Sequence, residues 1–217
     1  MMPAYSNPLV TLYQGDVLDT LALLPHESVH CCITSPPYWG LRSYRGEQER
    51  VWDAAEGCEH EWLEAEKPGI TGGSWPKQTR NAGSSYKNSK YGVCLRCPAW
   101  RGALGQEPTV QLYIAHLMQV MAALWRVLRA DGVCWINLDD TRQSGSHNGH
   151  DGGPKQMTNT GALGVQPKGG LRPKDMALVP ERSVLAAQEQ GWIVRSKVVW
   201  APPNPMPESA SDRPTDA

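Results

Sequence analysis

Two hydrophobic spacings alternate along this chain, and each change of spacing marks an element. Leu9-Val10-Thr11-Leu12-Tyr13 is β-prone and predicts a strand, ended by Gly15-Asp16. Val17, Leu18, Leu21 and Leu24 recur at helical spacing. They predict a short helix from Val17 to Leu24, capped by Asp16 and stopped by Pro25. Ser28-Val29-His30-Cys31-Cys32-Ile33 is again β-prone and reads as a buried strand. The strongest helical pattern runs from Pro108 to Ala130, where Val110, Ile114, Leu117, Met121, Leu124 and Leu128 mark one apolar face. Pro108 suits its first turn and Gly132 its C-terminal cap. Val133 to Leu138 predicts a second buried strand, ending in Asp139-Asp140. Asp175 to Gln190 predicts a helix broken near Pro180 and capped by Gly191; Trp192 to Trp200 predicts a strand or bent strand pair. Strands alternating with helices point to an α/β fold.

Two stretches lack this periodicity. Arg45 to Gly105 reads as a long, loop-rich insertion, which needs a reason in a compact domain. Thr141 to Gly170, rich in Gly, Ser, Asn and His, reads as a mobile loop. The expected division is therefore 1–44, an insertion over 45–105, and 106–217 with the loop at 141–170.

Between the strand at Ser28 to Ile33 and the insertion lies Thr34-Ser35-Pro36-Pro37-Tyr38-Trp39-Gly40. Each proline removes a backbone donor and fixes φ, so the strand stops there, and Ser35 is pushed toward an extended conformation. In open α/β sheets the carboxyl end of a strand is where ligands bind. The Ser35 hydroxyl and the Pro36 carbonyl can both accept from an NH2 group, and Tyr38 can stack on a ring. That suits holding a planar base by its exocyclic amine. The plain alternative is a Pro-Pro turn that closes a strand and does no chemistry.

The insertion offers a second chemistry. Cys58-Glu59-His60 and Cys94-Leu95-Arg96-Cys97 form two close-spaced pairs across a loop, as tetrahedral zinc requires. A structural zinc would replace the apolar core that this polar segment lacks. Four protein ligands leave no open position, which argues against catalytic zinc. Free thiols and a redox pair stay open as alternatives. Cys31, Cys32 and Cys134 fall in predicted buried strands and read as core thiols. His147 and His150 have no matched partner and read as loop residues.

Composition adds limits. The 217 residues suffice for one domain with an insertion, and 40% apolar with 20% charged content fits a soluble globular protein. No apolar run approaches the ~20 residues that cross a bilayer, and Met1 to Val10 lacks the pattern of a secretory signal. Formal net charge is −1, so overall charge does not advertise nucleic acid. Its distribution does: Lys67, Lys77, Arg80, Lys87, Lys90, Arg96 and Arg101 follow one another with no acid between. Such a stretch can track phosphates, or can serve only as a solvated loop.

Ser35-Pro36-Pro37-Tyr38 resembles the signature of S-adenosylmethionine-dependent amino-methyltransferases. Gly15-Asp16-Val17-Leu18-Asp19-Thr20-Leu21, Trp39-Gly40-Leu41-Arg42, Asn137-Leu138-Asp139-Asp140 and the Pro-rich tail from Trp200 to Thr215 extend the likeness. The chain thus resembles the N-terminal part of permuted (β-type) DNA amino-methyltransferases of the phage and prophage N4-cytosine type. The resemblance implies a Rossmann-like methyltransferase sheet that is incomplete here. It implies catalytic roles for Ser35, Pro36, Pro37 and Tyr38, and contact of Asp16 with the adenine of S-adenosyl-L-methionine. It also implies double-stranded DNA as partner, no membrane, and a cytoplasmic, restriction–modification setting in a bacterium or phage-infected host. Ala201-Pro202 departs from the His-Lys common in the family. The family's Phe-x-Gly-x-Gly cofactor loop is also missing, and the chain has no phenylalanine. That leads to the expectation of a truncated enzyme, or one half of a split enzyme completed by a second chain carrying the loop. Adenine N6 as target, and a non-catalytic DNA- or zinc-binding remnant, are the alternatives.

Overall fold

The computed structural model describes residues 2–40, 49–66, 90–142, 171–172, 175–201 and 203. The run from Leu41 to Tyr44, residues 67–89 of the basic stretch, residues 143–170 of the expected loop over 141–170 and the tail beyond 203 lie outside them. The architecture is mixed α/β, with helix α2 (Val110–Val127) at its centre. Thr109 caps α2, its hydroxyl accepting from Leu112 N at 3.2 Å, so Pro108 precedes the cap rather than opening the helix. Val110, Ile114, Leu117, Met121 and Leu124 are buried as the apolar face predicts. They meet α1 (Val17–Ala22) on one side and α3 (Val179–Glu189) on the other.

α2 runs without a loop into strand β8 (Leu128–Ile136), because Leu128 is already extended, with ψ 140°. Gly132 therefore does not cap the helix. It sits in a bulge of β8, between Leu128, which pairs with Val29, and Val133, which pairs with Cys31. β3 (Val29–Thr34) and β8 pair in parallel, and α2 is the crossover between them. The expectation that these strands are buried fails on one face. Cys31, Ile33, Val133 and Trp135 lie exposed, Ile33 at 81%. Among the described residues β3 and β8 pair only with each other, so helices cover only the face of Cys32, Cys134 and Ile136. Cys31 is thus a surface thiol, not a core one.

The remaining corrections are local. Only Thr11–Leu12 of the first predicted strand is β (β2), in an exposed hairpin with Tyr5–Ser6 (β1). Asn7 makes that turn, its Oδ1 accepting from Leu9 N at 2.8 Å and Val10 N at 2.7 Å. α3 begins at Val179, so Pro180 lies in its first turn, where no N–H is needed, and the helix is unbroken. Trp192 to Trp200 forms no strand.

The insertion is a four-stranded antiparallel sheet in the order β4 (Arg50–Trp52), β7 (Trp100–Gly102), β6 (Lys90–Cys94), β5 (Trp62–Glu66). The sequence did not announce this sheet because β4 and β7 have only three residues each, too few for a period of two to register. Trp52 and Trp100 bury their rings against the α2 core.

Candidate functional site

The turn after β3 stands beside the turn after β8. The ladder reaches Asn137, whose N–H donates to the Thr34 carbonyl at 2.9 Å. The Thr141 hydroxyl then donates to the Trp39 carbonyl at 2.6 Å. Ser35 is exposed, while Pro36, Pro37 and Tyr38 are half-buried. Among the described residues, none hydrogen-bonds the Ser35 hydroxyl.

The rest of the turn is clamped from beneath. Tyr113 of α2 donates to the Pro37 carbonyl at 2.9 Å. Burial, with the nearby charges of Glu107 and Tyr38, pushes the Tyr113 phenol well above its usual range, so it remains a donor. Trp39 is fully buried, and its indole N–H donates to the Glu107 carbonyl at 2.9 Å. Gly40 N–H donates to the Gly105 carbonyl at 2.8 Å. Gly105 has φ +87°, and a Cβ there would lie 3.0 Å from the Pro37 oxygen and 3.1 Å from the Tyr38 oxygen. Gly105→Ala is expected to destabilise the protein by about 1–2 kcal/mol from the left-handed backbone alone. Urea titration monitored by tryptophan fluorescence measures this; an unchanged midpoint refutes the left-handed conformation at Gly105.

Asp16 caps α1, its Oδ1 accepting from Leu18 N at 2.9 Å and Asp19 N at 3.3 Å. The same oxygen meets Arg50 Nη1 at 2.8 Å, and Arg50 also reaches Asp19 at 2.9 Å. The capping role expected from the sequence is therefore present, and β4 adds a cation that the sequence did not announce. Beside the turn, Asp140 accepts from Leu178 N at 3.1 Å and Val179 N at 2.9 Å. It thus caps α3 from a distance, where Leu178 itself supplies no side-chain cap. Asp140→Ala is expected to cost about 1 kcal/mol, the usual loss for a cap; a thermal melt equal to wild type excludes the role.

The four Cys/His ligand candidates come together. Cys58 and His60 lie in the β4–β5 connection, and Cys94 and Cys97 bracket the turn from β6 toward β7. The ligand atoms of all four lie within 4.8 Å of one another. Tetrahedral zinc bound mostly by thiolates needs ligand separations of about 3.8 Å, so a small closing movement suffices. The Cys97 sulfur is already 3.4 Å from His60 Nδ1. Burial alone would push the Cys94 thiol up. The backbone N–H of Arg96, the His60 ring and other donors outweigh it and bring Cys94 down to about 6. Burial, with Cys97 and Cys94 alongside, pushes Cys58 up to about 11. The donor set fits a cation that binds thiolate and imidazole.

Sequence reading missed Glu107, His116, Asp53 and Arg50. Each acts on residues far along the chain, His116 on Asp53 across 63 positions and Arg50 on Asp16 across 34. The available signal was His116, placed among Ile114, Leu117 and Met118 on the helix that had to be buried.

The family model described as DNA methylase matches residues 29–217. The Type II methyltransferase M.Cfr9I of Citrobacter freundii is 32% identical over 216 residues, covering 97% of this chain and 53% of the relative. M.XycI of Xanthomonas campestris pv. cyanopsidis, also a Type II methyltransferase, is 32% identical over 206 residues, 94% of this chain and 50% of the relative. For the Type II methyltransferase M.SfiI of Streptomyces fimbriatus the figures are 29% over 214 residues, 98% and 35%. The chain spans about half the length of the first two relatives. No solved structure matches it. No helix among the described residues is long and apolar enough to cross a membrane. With the family match running from the first residue of β3 through the Pro-Pro-Tyr turn, α2 and β8, the chain belongs to the N6/N4 DNA methylase family.

Proposed function

We propose that this chain is the base-binding part of a site-specific DNA methyltransferase that transfers a methyl group from S-adenosylmethionine to cytosine N4. The observation that carries the reading is Ser35, exposed at the carboxyl end of β3 on a turn that Tyr113 and Trp39 hold from beneath. The target base leaves the duplex to reach the turn. Its amine then donates to the Ser35 hydroxyl and the Pro36 carbonyl, and Tyr38 lies against the ring. These bonds draw the amine nitrogen out of conjugation with the ring and free its lone pair. S-adenosylmethionine, when bound, supplies an electrophilic methyl on sulfur. Asp16 would accept from its adenine amine, and Arg50 would keep that carboxylate in place. No covalent enzyme intermediate is needed. Ser rather than Asp before the prolines favours cytosine N4 over adenine N6.

Residues 1–44 and 106–217 form the methyltransferase unit in this reading, and 45–105 is an insertion organised by zinc on Cys58, His60, Cys94 and Cys97. Among the described residues, the exposed face and unpaired outer edges of β3–β8 support a Rossmann-like sheet that is completed by further strands, from a longer chain or a second one. The test is transfer of labelled methyl to plasmid DNA, followed by nucleoside analysis. It is run with the chain alone and with a polypeptide equivalent to the unmatched half of the relatives. N4-methylcytosine in either arm is the expected product. N6-methyladenine corrects the base, and no methylated product in either arm refutes the reading.

A further inference from the structure

One buried polar cluster is unused by this mechanism. The side chains of His116 and Glu107 are fully buried. His116 Nδ1 lies 3.0 Å from Glu107 Oε1, and Nε2 lies 3.1 Å from Asp53 Oδ2. The imidazole is stacked between Trp52, with centroids 4.5 Å apart, and Trp100, at 5.4 Å. The other carboxylate oxygen of Glu107 accepts from Gly105 N–H at 2.8 Å. Each ring nitrogen thus meets one carboxylate. An arrangement this costly to desolvate is stable only when every member is paired.

Its position explains what it does. The Glu107 carboxylate fixes Gly105, whose carbonyl binds Gly40 N–H, and the Glu107 carbonyl binds the Trp39 indole. Gly105 in turn packs on Pro37 and Tyr38. Through Asp53, Trp52 and Trp100, the same imidazole touches strands β4 and β7 of the Cys/His sheet. We propose that Glu107, held in place by His116, is a positioning residue that sets the Pro-Pro-Tyr turn for the base, and that the Cys/His sheet is the rigid body against which it is set. The catalytic half of this inference rests on the methyltransferase reading; the structural half does not.

Two isosteric changes separate positioning from plain stability. His116→Asn presents an N–H where Nδ1 stood and keeps the bond to Glu107. His116→Gln presents its N–H near Nε2, keeps Asp53 and releases Glu107. Both delete the same ring from the same cavity, so a purely structural role affects them alike. In the full chain, His116→Gln is expected to move the Trp39 indole and Gly40 amide resonances, and His116→Asn to leave them near wild type. In the methyl-transfer assay of the arm that is active, His116→Gln is expected to lower kcat about tenfold, the cost of a slightly misplaced base, with KM for DNA unchanged. Equal movement of those resonances in both variants, or movement in neither, overturns the proposal. Absence of methyl transfer by the wild type overturns the methyltransferase reading instead, and the resonances still decide whether Glu107 sets the turn. Where a His116 variant does not fold, Glu107→Gln replaces it. It keeps an acceptor for Gly105 N–H and an amide beside His116, and wild-type resonances are the expected result; moved Trp39 and Gly40 resonances in this variant overturn the proposal.

Discussion

Replacing Ser35 with alanine is expected to lower methyl transfer about a hundredfold or more, in the range that follows loss of one preorganised hydrogen-bonding group at a reacting centre. As the methyl arrives, the amine nitrogen gains positive charge and its N–H groups become stronger donors. A hydroxyl that accepts from them binds the transition state more tightly than the ground state, which is the condition for acceleration. The Pro36 carbonyl is backbone and remains, so activity is reduced and not abolished. KM for DNA is expected to change little, because Ser35 is proposed to meet only the amine of the flipped base. Folding is expected to be unaffected, within about 0.5 kcal/mol for an exposed side chain. Ser35 has no described hydrogen-bond partner to lose. Initial rates and a thermal melt of the same preparation decide the matter. Wild-type turnover in a folded variant removes Ser35 from the mechanism.

The parts of this molecule that were legible in its sequence are those governed by near neighbours. Asp16 caps α1 because a capping side chain needs only the second and third residues that follow it. α2 is legible because its apolar face spans five turns. The Cys/His pairs are legible because ligand spacing is itself a local pattern, although only tertiary structure brings Cys58 and His60 to Cys94 and Cys97. What stayed hidden depends on distant partners. β4 and β7 are each three residues long and exist because they pair with each other across the insertion. The exposure of Ile33 follows from what packs on its face of β3, and alternation along β3 cannot report that. Trp192 to Trp200 has every mark of a strand and yet forms none among the described residues, since a strand requires a neighbour as well as a propensity. His116 and Glu107 looked like ordinary polar residues near a helix start. Only the ring of Trp52, Trp100, Asp53 and the Pro-Pro-Tyr turn around them gives them a task.

Removing metal is expected to undo the insertion and, through it, the Pro-Pro-Tyr turn. The four-stranded sheet has short strands, and much of its surface is polar. Its contribution to the core is two tryptophans, so in the proposed reading an ion on Cys58, His60, Cys94 and Cys97 would be what closes it. The stabilisation from such an ion is on the order of 10 kcal/mol at neutral pH, by the scale of zinc-finger peptides. Chelation, or Cys94→Ser, is therefore expected to give a lower melting temperature, a red shift of tryptophan emission as Trp52 and Trp100 meet water, and loss of one bound zinc per chain. Cys31→Ser, at the exposed thiol of β3, should alter none of these. Proton competition supplies an independent check of the ligands. Cys94 is held down to about 6 and is a thiolate at neutral pH, whereas Cys58, pushed up to about 11, must give up its proton to the metal. Uptake therefore releases protons, and affinity rises as pH rises from 6 to 8. Zinc content that survives Cys94→Ser, or an affinity indifferent to pH, places the ion elsewhere and leaves the sheet to stand on its packing alone.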